Sequence, residues 1–177
     1  IYMKATGIVR RIDDLGRVVI PKEIRRTMRI REGDPLEIYT DREGEVIFKK
    51  YSPMGEMVSF AGDLASAMAD GSKLTVAICD RDHCVAASSG KKDLLEKTVT
   101  PELEKIIEDR RLYVNQNNAD VQGFNDTSYT LCVAVPVVAA GDIVGCVVML
   151  SNEGETPQES DIKLAETAAR FLSARSE

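Results

Sequence analysis

Long apolar runs are missing from this 177-residue chain. The longest, such as 143–150, is broken by Gly145 and falls far short of the roughly 20 residues that a membrane-spanning helix needs. A phosphate-cradling glycine loop is missing too, since Ser88-Ser89-Gly90-Lys91-Lys92 is small and basic but lacks the spacing. Histidine occurs once, at His83, and none of the four cysteines (Cys79, Cys84, Cys132, Cys146) forms a Cys-x-x-Cys pair. The run Cys79-x3-His83-Cys84 brings two thiols and an imidazole together, but a zinc site wants four ligands in paired spacing and no second pair exists. A cysteine nucleophile would need a positioned partner and a lowered thiol pKa. The expectation is therefore no metal, no cofactor and no catalytic residue, with cysteines packing as small reduced hydrophobes in a cytoplasmic protein that opens without a signal peptide.

What the chain does have is charge, unevenly placed. It carries 23 bases and 29 acids, a net −6, yet residues 1–31 hold nine bases against three acids, a net +6. A local excess of this kind in an acidic protein points to a polyanion as partner. Composition shifts at Tyr51-Ser52-Pro53, from arginine-rich to rich in Ala, Val, Asp and Glu, which divides the chain into domains 3–52 and 53–177.

Within the first domain, alternation predicts strands over 5–13 and 17–20 around an Asp13-Asp14-Leu15-Gly16 turn. Pro21 opens a helix over 22–28, with Ile24 and Met28 inward and Arg25, Arg26 and Arg29 outward. Residues 36–40 and 46–49 read as a hairpin through Asp41-Arg42-Glu43-Gly44. About fifty residues of this kind bury too little apolar surface to stand alone, so an obligate dimer is expected.

Thr6-Gly7-Ile8-Val9-Arg10-Arg11-Ile12-Asp13, Leu15-Gly16-Arg17-Val18-Val19-Ile20-Pro21, Ile24-Arg25-Arg26 and Leu36-Glu37-Ile38-Tyr39 resemble the N-terminal domain of AbrB-type transition-state regulators. That resemblance implies two chains exchanging β-hairpins into one barrel-like dimer that binds double-stranded DNA. It places DNA-contacting arginines at Arg10, Arg17, Arg25 and Arg26, with Lys4 and Arg11 as supporting charges. With a second domain following, the layout resembles the sporulation regulators of this group, which implies a cytoplasmic, nucleoid-associated regulator of transcription. The chemistry agrees, because clustered guanidiniums fork to phosphates and guanine edges and release counterions. Neighbours on a strand point to opposite faces, so Arg10 and Arg11 meet one duplex only if the strand twists or bulges.

In the second domain, Ser52-Pro53 caps a helix with an apolar stripe from Met54 to Met68. Strands at 74–80 and 83–87, a short helix at 91–97, a helix from the Thr100 cap to about Arg111, and an exposed mobile loop at 115–128 come next. Two apolar strands (129–137 and 143–151) and a helix opened by a Thr156-Pro157-Gln158-Glu159 capping box complete it. This order, with phrases such as Asp142-Ile143-Val144-Gly145-Cys146-Val147, resembles a GAF domain: an antiparallel sheet flanked by helices, in an α+β protein. The cyclic-nucleotide signature of that family is not found. The resemblance implies a role in association and in sensing an unidentified small molecule. The stripes at 54–68 and 156–174 suit a four-helix bundle, which would tie two dimers into a homotetramer. Two other readings stay open: a MazE-type antitoxin, which shares the small swapped barrel, and a GAF-type methionine sulfoxide reductase using Cys84 and Cys132.

Overall fold

The computed structural model describes residues 5–176, and Lys4 lies outside them. The chain divides into two compact units, Ile1–Tyr51 and Ser52–Glu177.

In the first unit, Pro21 sets φ to −57° and its carbonyl accepts the Arg25 N–H at 3.0 Å, starting helix α1 (Lys22–Thr27). Strands β1 (Leu36–Thr40) and β2 (Val46–Lys50) pair antiparallel, Ile38 opposite Phe48. Their turn is held by Asp41, whose Oδ1 accepts the N–H groups of Glu43 and Glu45, each at 2.9 Å. The strands expected over 5–13 and 17–20 are not formed: this stretch is extended chain around a turn in which the Gly16 N–H reaches the Asp13 carbonyl at 3.1 Å. The reason is that a strand exists only beside another, and this unit's sheet is the two-stranded β1-β2.

The second unit is built on one antiparallel sheet of five strands in the order β4-β3-β7-β6-β5. These are β3 (Thr75–Cys79), β4 (Cys84–Ala87), β5 (Tyr113–Val114), β6 (Thr130–Ala139) and β7 (Asp142–Ser151). Helices α2 (Pro53–Glu56), α3 (Val58–Asp70) and α5 (Glu159–Arg175) cover one face, where Met54, Ala65, Met68 and Leu172 meet Val76, Val133, Val147 and Met149. Helix α4 (Pro101–Asp109) covers the other, where Leu94, Leu103, Ile107 and Phe124 meet Ala77, Cys146, Val148 and Leu150. The sheet is thus buried on both sides, which is why its long strands read as continuous apolar runs. Each fully buried aliphatic side chain of this kind stabilises the fold by about 1.5–3 kcal/mol.

Four expectations are corrected here. The stripe over 54–68 is two helices meeting at Met57, with the Ser52 Oγ accepting the Gly55 N–H at 3.1 Å. The helix at 91–97 shrinks to a 3-10 turn, Lys92–Leu94, because the following backbone pairs with β4 instead: Glu96 N–H to the Cys84 carbonyl and Cys84 N–H to the Lys97 carbonyl, each 2.9 Å. The loop over 115–128 is not simply exposed. Asn115 is buried and bonded to Ala119 and Leu131, and Phe124 is fully buried. The last helix starts at Glu159, with Asp161 Oδ2 accepting the Gln158 N–H at 2.7 Å, so the box sits two residues later than the Thr156 reading.

Among the glycines, Gly145 marks the tightest approach. A Cβ there would lie 2.3 Å from the Cys79 carbonyl oxygen and 2.8 Å from Met54 Cγ, so only glycine lets α2 rest on β7 at this point.

Candidate nucleic-acid interface

Residues 5–31 carry eight bases against three acids, and all of Arg10, Arg11, Arg17, Arg25 and Arg26 are exposed. The elements that carry them differ. Arg10 and Arg11 stand on the unpaired extended segment, and Arg25 and Arg26 on α1.

Arg17 is held at the turn. Its backbone N–H and its Nε reach Asp13 Oδ1 and Oδ2, each at 2.8 Å, and the Leu15 N–H adds a bond of 3.0 Å to the same carboxylate. The Arg17 backbone bond first, and its side chain next, lower the Asp13 pKa below the usual carboxylate range. The guanidinium is thus pre-oriented, though a phosphate must displace the exposed carboxylate to use it fully. Arg25 is steadied differently, its Nε donating to the Ile20 carbonyl at 3.2 Å.

Two features of this basic unit carry no simple sequence signal. Lys50, at the end of β2, donates to the Arg29 carbonyl at 3.0 Å across 21 residues, tying the hairpin to the end of α1. Arg29 itself takes a left-handed φ of 51°.

The same stretch exposes apolar side chains. Val9 is 87% exposed, Ile12 71% and Val19 70%, and among the described residues of this unit Pro21 alone is buried. These apolar side chains are thus left largely open to solvent within the unit.

The cysteines lie elsewhere, in the second unit. Cys84, Cys79 and Cys146 are register neighbours across β4, β3 and β7, and all four thiols are buried. Hydrogen bonding to Cys146 and then burial push the Cys79 thiol well up, burial raises Cys84 to about 12, and burial raises Cys132 to about 11. His83 pairs its backbone with Thr98 in the turn between β3 and β4. Among the described residues no group of three or more His, Cys, Asp or Glu side chains is arranged to hold a metal ion, and no helix is long and apolar enough to cross a membrane.

Comparison with known proteins decides the family. Residues 56–177 match the family model described as stage V sporulation protein T C-terminal, transcription factor. Over 178 aligned residues, 99% of both chains, the protein is 52% identical to stage V sporulation protein T of Bacillus subtilis. The chain belongs to the stage V sporulation protein T family of transcription factors. Its N-terminal unit has relatives outside that family. Residues 9–55 match the model for MazE, antidote-toxin recognition, bacterial antitoxin. A 52-residue stretch, 29% of this chain and 53% of the relative, is 64% identical to the transition state regulatory protein AbrB of Bacillus subtilis. For the second unit of this sporulation-family chain, the GAF domain of an Acinetobacter phosphoenolpyruvate-protein phosphotransferase superposes over 72% of the chain and 84% of its own, with a TM-score of 0.53 at 11% identity. At that identity the likeness shows the fold, a GAF-like antiparallel sheet with helices on its faces. The α+β architecture expected from the sequence is thus the observed one.

Proposed function

We propose that the chain is a non-enzymatic regulator of the sporulation programme that grips double-stranded DNA through residues 3–52, while residues 53–177 serve association and the sensing of a small molecule. The observation that carries this reading is the eight-to-three excess of bases in residues 5–31, set on an apolar surface that the chain leaves uncovered. Arg10, Arg17, Arg25 and Arg26 contact DNA, and Lys4 and Arg11 add supporting charge. Exchange of hairpins between two chains gives residues 5–13 and 17–20 the ladder partners they lack within one chain, and doubles the basic surface symmetrically for two half-sites.

A second association runs through α3 and α5. Val58 and Phe171 are exposed there, the Phe171 ring lies 5.4 Å from that of Phe60, and Arg175 stacks 5.0 Å from the Phe60 centroid. Two different two-fold contacts close a homotetramer in the cytoplasm, bound to the nucleoid. An effector then acts only through unequal affinity for two arrangements of the assembly. The reductase reading is disfavoured by thiols buried and raised in pKa, the reverse of what a nucleophile needs. The antitoxin reading rests on the match of residues 9–55 alone, and it predicts a tight complex with a small ribonuclease.

The test is fluorescence anisotropy of the full chain on duplex DNA across a salt series. Affinity falls with a log-log slope of about −0.9 per phosphate neutralised. Arg25→Ala weakens binding by about 1–3 kcal/mol if it reads a base edge, with the melting temperature unchanged. A slope of zero refutes phosphate contact.

A further inference from the structure

Helix α1 ends in a Schellman pair: the Ile30 N–H reaches the Arg25 carbonyl at 2.8 Å and the Arg29 N–H reaches the Arg26 carbonyl at 3.3 Å. The residue between, at the position after the cap, must be left-handed, and glycine takes that conformation without steric cost. This chain places Arg29 there, at φ 51°, with its carbonyl held by the Lys50 ammonium at 3.0 Å. Among the described residues the exposed Arg29 guanidinium has no carboxylate or carbonyl partner, whereas Arg17 is paired with Asp13 and Arg25 donates to Ile20. An arginine that strains the backbone and whose guanidinium meets no partner among the described residues is explained by something outside the chain. The competing account is support of the helix C-terminus by a cation. Lys50 already supplies that cation, and the helix has only six residues.

Resting on the DNA-binding reading above, we infer that Arg29 is a further DNA-contacting arginine, reaching a phosphate beyond those met by Arg25 and Arg26. Lys50 is the positioning residue that fixes the strained turn. Two properties that usually move together separate at this site. Removing the arginine in favour of glycine relaxes the turn while deleting a contact.

The experiment compares full-length wild type, Arg29→Gly, Arg29→Lys and Arg25→Ala on a mixed-sequence duplex, by anisotropy against salt and by thermal unfolding. Arg29→Gly is expected to melt at or above the wild-type temperature yet bind several-fold more weakly, with a salt slope shallower by about 0.9 per chain. Arg29→Lys is expected to keep the wild-type slope. Wild-type affinity and slope in Arg29→Gly overturn the inference. So does a lower melting temperature in Arg29→Gly, which identifies helix support instead. If Arg25→Ala also binds as wild type and no slope is seen, the DNA-binding reading itself has failed, and the Arg29 inference falls with it.

Discussion

The two units spend similar kinds of residue in opposite ways. Ile1–Tyr51 carries twelve bases and nine acids, a net +3, and exposes Val9, Ile12, Leu15 and Val19 at 70% or more. Ser52–Glu177 carries eleven bases and twenty acids, a net −9, and buries Val, Leu, Ile, Met and Phe on both faces of a five-stranded sheet. Apolar content alone does not make a core; it must be enclosed by enough chain. The first unit has the pattern of strands without neighbours for them, the second has both. The acidic unit repels a phosphate backbone that the basic unit attracts, so charge as well as packing divides the labour between them.

The strongest challenge to this contrast is a pair of equivalent truncations. Leu131→Ala in the second unit, a fully buried site, is expected to cost about 2–5 kcal/mol, read as a lower urea midpoint. Ile12→Ala, 71% exposed within one chain, is expected to leave the C-terminal unit untouched and to weaken self-association in sedimentation equilibrium. An Ile12→Ala protein that associates as tightly as wild type removes the proposed covering partner.

A smaller effect sharpens the picture of the second unit. Thr100 Oγ1 accepts the Leu103 N–H at 3.2 Å and donates to the Gln122 carbonyl at 2.7 Å, so it caps α4 and pins the loop before β6. Thr100→Ala is expected to cost about 1 kcal/mol, with faster amide exchange at Leu103 and in the loop around Phe124.

The smallest effect is one of pH. The Ser151 hydroxyl first, and backbone N–H groups next, hold Glu155 at about 2, below its ordinary 4.5. A depressed carboxyl contributes stability that is complete above its unfolded value and lost as pH falls through its folded one. The difference in urea midpoint between wild type and Glu155→Gln is thus expected to be constant above pH 4.5 and to shrink towards pH 2.

Much of this was legible from residue patterns, for physical reasons. Sheet strands buried on both faces announce themselves as apolar runs, so the sequence locates β6 and β7 to within one or two residues. Pro21, Ser52 and Thr100 mark helix starts because their local chemistry suits the first turn. What stayed hidden depends on contacts distant in sequence. The two-residue strand β5 exists only because Tyr113 and Val114 pair with Ala134 and Val133. Phe124 is buried in a cluster with residues distant in sequence, among them Leu103, Ile107 and Leu150, which no window of loop residues reveals. The same holds for the basic unit: the arginines were countable, but the tie from Lys50 to the Arg29 carbonyl spans 21 residues and left no local trace.

The thiols give the molecule a built-in reporter. Every cysteine lies in Ser52–Glu177, each is buried, and the first unit has none. A maleimide pulse therefore marks molecules whose sheet has opened and is blind to whatever the arginine-rich half is doing, so the lifetime of one half can be clocked while the other binds and releases its partners.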